Sequence, residues 1–150
     1  MNYKYFQIAF YAVRAFYPSC NVTASLPLAQ AVLESRNFTS DVYQRAHNFF
    51  GMTFPSKRDT VAIGKDGKYC KYANDLDCIR DYFKWLSYWK IYSDAQLLEF
   101  LKKSYAEDSQ YLVKVRNILP GIQGQLLDPA TLSLYAVGAG VAAIAALRAS

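Results

Sequence analysis

Apolar and polar positions along this chain alternate mostly with a helical period. Phe6, Ala9, Phe10, Val13 and Tyr17 recur at three- and four-residue spacing, which predicts an amphipathic helix over about 3–17. Lys4, Gln7 and Arg14 break the apolar run, so this segment reads as a core-packing helix and not a signal peptide. Pro18-Ser19-Cys20-Asn21 is a turn. A second helix opens at Ser25 as N-cap, with Pro27 in its first turn, and ends near Glu34 or Ser35. Thr39 or Ser40 caps a short third helix through Ala46. Beyond the polar loop Pro55–Asp59, Thr60–Ile63 and Tyr69–Tyr72 alternate around Gly64-Lys65-Asp66-Gly67, the pattern of a small β-hairpin. Asn74 caps a helix carrying Leu76, Ile79, Phe83 and Leu86 on one face. Ser93-Asp94-Ala95-Gln96 is a capping box that opens a helix through about Lys103. The last helix of the domain, about Asp108 to Leu119, is stopped by Pro120-Gly121.

The tail has a different pattern. Pro129 to Leu147 carries no charge, and nineteen such residues span about 28 Å as a helix, enough for a bilayer core. Arg148 follows at once, and Ala136, Gly138 and Gly140 are small residues common in membrane helices. The expected organisation is a domain over 1–120, a linker over 121–128 and a transmembrane helix over 129–148. The expected fold class is α+β, mainly α: a helical domain with a small β-hairpin lobe and a C-terminal transmembrane helix. A lipid bilayer is then a partner, and the protein is membrane-anchored.

Composition narrows the function. The chain is 53% apolar and 19% charged over 150 residues, so it can bury one full core and is not disordered. Aromatics make up 16%, with thirteen Tyr, which suits a dense core and carbohydrate stacking alike. The net charge of +5 comes without a basic run, which argues against nucleic acid and fits an anionic polymer or lipid surface. The three cysteines, Cys20, Cys70 and Cys78, cannot all pair within the chain; Cys70 and Cys78 either bridge or stay as thiols. One His and no Cys-x-x-Cys leave no zinc pattern, and neither a metal nor a cofactor is expected.

The chemistry concentrates in Leu28-Ala29-Gln30-Ala31-Val32-Leu33-Glu34-Ser35 and Asn48-Phe49-Phe50-Gly51-Met52. The first is an apolar helix ending on one carboxylate, and the second an apolar turn able to wall it in. A carboxylate so placed is costly to ionise unless it is paired or used as an acid.

These strings resemble glycoside hydrolase family 73, the β-N-acetylglucosaminidases of flagellar and autolysin type that cut peptidoglycan. The resemblance runs on in order through Lys71-Tyr72, Asp81-Tyr82-Phe83-Lys84-Trp85-Leu86 and Ser104-Tyr105-Ala106-Glu107-Asp108-Ser109-Gln110-Tyr111, over about residues 5–120. It implies a lysozyme-like fold with a helical core and a β-lobe beside a glycan cleft. Two departures stand out. Arg36-Asn37-Phe38 replaces the usual Gly-Trp-Gly, and the hairpin positions near Ala62 and Ile63, where the family carries a second carboxylate, cannot ionise.

The resemblance makes Glu34 the general acid. A glycosidic oxygen must be protonated as its bond breaks, so the carboxyl has to stay protonated well above its ordinary pKa of about 4.3. Asp59, just before the hairpin, is the first candidate for the second carboxylate. A substrate-assisted or anhydro-forming route would need none. Tyr72 matches a family tyrosine implicated in catalysis. Asn48, Phe50, Gly51 and His47 are expected against substrate, while Trp85 and Trp89, four apart on a helix, are expected in the core. The leading expectation is a membrane-anchored peptidoglycan hydrolase. Its topology leaves two placements: a phage virion, with virion membrane or capsid proteins as further partners, or the host cell envelope, as a bacterial membrane-bound autolysin. The alternatives are lytic transglycosylase-type cleavage, or a non-catalytic wall-binding or structural protein of the same fold.

Overall fold

The computed structural model describes residues 1–105 and 107–135. Six helices and one hairpin follow in the order α1 (Tyr3–Arg14), α2 (Ser25–Glu34), α3 (Asp41–Ala46), β1 (Gly64–Asp66), β2 (Tyr69–Lys71), α4 (Asp75–Tyr88), α5 (Asp94–Ser104) and α6 (Tyr111–Gln123). The mainly helical α+β expectation holds. Side-chain caps fix most helix starts: Asn2, Ser40, Asn74 and Ser93 each accept from a backbone N–H of the following turn. α2 begins without a side-chain cap.

The interior helix is α2. Leu26, Leu28, Ala29 and Ala31 are buried around its circumference, so it has no solvent stripe. α6 packs along it, α1 touches it and also crosses α4, and α3 sits on both strands. Phe6 and Phe10 of α1 meet Phe49, Phe50 and Phe83 at ring separations of 4.8–6.1 Å, which welds α1, α4 and the turn after α3 into one core.

Several expectations are corrected. α1 stops at Arg14; Phe16 lies outside it and is exposed, and Tyr17 stacks on Phe83 at 5.1 Å. The hairpin is shifted along the chain. Gly64, Lys65 and Asp66, expected in the turn, pair with Lys71, Cys70 and Tyr69, and the reversal falls at Gly67, whose φ is +60°. Only one bond, Ile63 N–H to the Lys71 carbonyl, prolongs the ladder into the expected first strand. The reason is competition. Asp81 accepts from Val61 N–H, and Thr60 Oγ1 accepts from Ala62 N–H, so 60–62 spends its donors elsewhere.

α6 runs through Pro120 to Gln123. Pro120 cannot donate to the Arg116 carbonyl, and the buried Ile122 secures the last turn against that loss. All three cysteines are buried free thiols. The expected transmembrane helix is not supported. Residues 129–135 are helical, but among the described residues no helix is long and apolar enough to cross a membrane, and 136–148 lie outside them.

Candidate active site

α2 delivers Glu34 as its last residue, at the mouth of the core. The chain then turns back sharply. Arg36, Asn37 and Phe38 have φ of 51°, 54° and 61°, a left-handed run of three non-glycine residues. Such a conformation costs a non-glycine residue about 1 kcal/mol or more, so tertiary contacts must hold it. Phe38 supplies them. It is buried edge-on to Tyr3, Tyr43 and Phe49, and its N–H donates to Ser35 Oγ at 2.8 Å. Tyr3 donates to Asn37 Oδ1 at 2.8 Å.

The reversal folds 36–42 around one side of Glu34 and leaves a cavity of about 290 Å³. Glu34, Arg36, Asp41, Asn48, Gly51 and Tyr69 are among its walls. Glu34 is half-buried and has no salt-bridge partner among the described residues. Burial raises its pKa above the ordinary 4.5, and the hydrogen bond from Tyr111 offsets part of that rise. Tyr111 donates its hydroxyl to Oε1 at 3.0 Å. That phenol is itself buried, stacks on Tyr105 at 3.7 Å and is bonded by Gln30, whose Oε1 accepts from Tyr82 at 2.7 Å. Burial, with Glu34 nearby, pushes the Tyr111 hydroxyl pKa far up, so it stays a donor. The other oxygen of Glu34 faces Gly51, where an added β-carbon would stand 3.5 Å from Oε2. That contact alone would be tolerable; the φ of +64° is what calls for glycine.

The remaining expected residues divide. Asn48 lines the cavity but spends its side chain on backbone. Nδ2 donates to Met52 and Cys70 carbonyls at 2.8 and 3.0 Å, and Oδ1 accepts from Met52 N–H at 3.0 Å. Phe50 lies in the core, stacked on Tyr82 at 4.1 Å. His47 ends α3 in a left-handed conformation, with Nδ1 2.8 Å from Asp75 Oδ1. Tyr72 is buried, and its hydroxyl donates to Asp81 Oδ2 at 2.7 Å. Asp59 is exposed and bonded to Lys84 Nζ and Thr60 N–H, contacts that hold its pKa below the usual range. None of Asp59, Tyr72, His47 and Phe50 is a wall of the Glu34 cavity.

Sequence reasoning missed Asp41, Tyr111, Arg36 and Tyr69. For Tyr111 a signal existed, since it closes the last of the family-like strings. For Asp41 none did, because the left-handed reversal that carries it to Glu34 has no residue signature.

A half-buried acid with a raised pKa, beside an open cavity and bonded by a buried phenol, is the kind of group that glycosidic cleavage requires. The comparison with known families agrees: residues 12–123 match the Glucosaminidase family, described as mannosyl-glycoprotein endo-beta-N-acetylglucosaminidase. The chain belongs to this family, which makes it a glycosidase acting on cell-wall glycan. No match was found among curated proteins or among solved structures. Neither the family match nor the described residues support a bilayer or virion partner.

Proposed function

We propose that the protein hydrolyses β-1,4 bonds of the peptidoglycan glycan with Glu34 as general acid and Asp41 as the base that activates water. The observation that carries this reading is the unpaired, half-buried Glu34, held by Tyr111 on one oxygen and open to the cavity on the other side. With Oε1 accepting from Tyr111, the acidic proton sits on Oε2. It passes to the glycosidic oxygen as the bond to the anomeric carbon breaks. Water attacks that carbon and gives its proton to Asp41, the other acid among the described residues lining the cavity. The water's oxygen stays on the sugar as a new reducing end.

The test is release of soluble muropeptides from purified peptidoglycan by the full chain. Release that persists unchanged in Glu34→Gln overturns the acid assignment. Mass spectrometry should find reducing N-acetylglucosamine ends; 1,6-anhydro ends would overturn hydrolysis. Asp41→Asn should lose most of the rate. If it turns over normally, the substrate's own acetamido group takes the second role.

A further inference from the structure

Both tryptophans of the chain, Trp85 and Trp89, line a second open cavity of about 340 Å³, together with Met52, Thr53, Lys57 and Tyr88. Helical spacing predicts both indoles in the core, yet Trp89 is 49% exposed and Tyr88 43%. Leaving an indole in water forfeits apolar burial, so its rigid support is informative. Phe100 backs both indoles at 5.2 Å, and Tyr82 stacks on Trp85 at 5.4 Å. The rings are braced from behind and open in front. Lys57 is exposed, with no salt-bridge partner among the described residues, whereas its neighbour Arg58 is engaged by Asp81.

This cavity adjoins the first through one strip of chain. Gly51 lines the Glu34 cavity and Met52, the next residue, lines this one. Thr53 bridges to Tyr69, which is again a wall of the Glu34 cavity. A polymer lying across Gly51–Thr53 would touch both.

We propose that the Trp85–Trp89 cavity is a distal saccharide site of the glycan groove, selective for sugars that carry a carboxylate. The proposal rests on the glycan-cleavage reading above. A sugar ring lays its apolar C–H face against the flat, electron-rich face of the Trp89 indole. Lys57 takes the acid group. In peptidoglycan alternate sugars bear a lactyl ether ending in a carboxyl or its peptide; a plain N-acetylglucosamine polymer bears none. Aromatic platform and cation together therefore read the wall polymer apart from its neutral relative.

The experiment uses the full chain carrying Glu34→Gln, so that ligand is not consumed. It is titrated with a tetrasaccharide of alternating N-acetylglucosamine and N-acetylmuramic acid, and separately with chitotetraose. Tryptophan emission reports the cavity directly, because the chain has no tryptophan elsewhere. Emission should change on binding, and adding Trp89→Ala should weaken affinity about tenfold. Adding Lys57→Glu should weaken the acidic tetrasaccharide several-fold and leave chitotetraose unaffected. Should Trp89→Ala unfold the protein, the exposed Lys57 carries the test alone. Equal affinities in all variants, no emission change at calorimetric saturation, or no binding of the tetrasaccharide would each overturn the proposal. Wild-type turnover is measured in parallel. Turnover with binding indifferent to Trp89 and Lys57 fells this site and spares the hydrolase; Trp89-dependent binding without turnover does the reverse.

Discussion

Two buried acids in this protein sit in opposite electrostatic settings. Glu34 has one phenol and no cation, and burial drives its pKa up. Asp81 is fully buried, and burial pushes its pKa up as well, but Arg58, Tyr72 and Thr60 bond it and more than reverse the push. Arg58 clamps it through Nη1 at 3.1 Å and Nη2 at 2.8 Å. The same functional group is thus biased toward its protonated form in one place and toward its anion in the other. Desolvation alone decides neither; the count and charge of donors does. Asp81 serves architecture. Through Arg58 and Val61 it ties the loop before the hairpin to α4, and Tyr72 ties in the residue after β2.

That contrast can be broken from either side. The largest effect is expected at Glu34. Glu34→Gln should cut muropeptide release by roughly 10²–10⁴-fold with the fold intact, as removal of a general acid does. Next comes Arg58→Met, which strands the Asp81 carboxylate; urea unfolding should show a loss of about 3–5 kcal/mol. The loss should shrink below pH 3.8, where unfolded-state Asp is protonated and the wild-type pair no longer stabilises as the pH falls through the lowered native value. Tyr111→Phe should reduce kcat several-fold and leave KM nearly unchanged. Since that bond holds the Glu34 pKa down, its removal should move the alkaline limb of the rate profile to higher pH. The smallest effect is on stability at the acid itself. A raised native pKa means that Glu34 stabilises most below its ordinary 4.5 and loses that contribution as pH rises through the native value. Glu34→Gln should therefore gain up to about 1 kcal/mol at neutral pH in thermal melts, and the gain should vanish in acid.

Glu34 was legible because an apolar helix ending on a single acid is a local pattern. The caps at Ser40, Asn74 and Ser93 were legible for the same reason. Asp41 and the Trp85–Trp89 cavity were not. Asp41 reaches the cavity wall through three successive left-handed residues held by Phe38 packing and by hydrogen bonds to Ser35 and from Tyr3, and such a turn leaves no trace in periodicity. Trp89 follows α4 by one residue, where helical spacing no longer fixes which side is inward. The hairpin register slipped past sequence reasoning because the N–H groups of Thr60, Val61 and Ala62 go to the side chains of Asp59, Asp81 and Thr60, partners distant or invisible to alternation. The role of Asp81 itself was hidden because its partner Arg58 lies 23 residues away along the chain, in a polar loop.

Gln7 on α1 meets the chain again 120 residues later. Its Nε2 donates to the Leu127 carbonyl at 3.2 Å and its Oε1 accepts from Leu127 N–H at 2.8 Å, a two-pronged latch formed by a buried amide. Leu127 lies beyond the family match, which ends at 123. Anyone trimming the gene to the matched segment, or to the residues before Leu127, would strip that carboxamide of both partners, at about 0.5–1.5 kcal/mol for each bond lost. Boundaries for expression or crystallisation are therefore better drawn after Leu127.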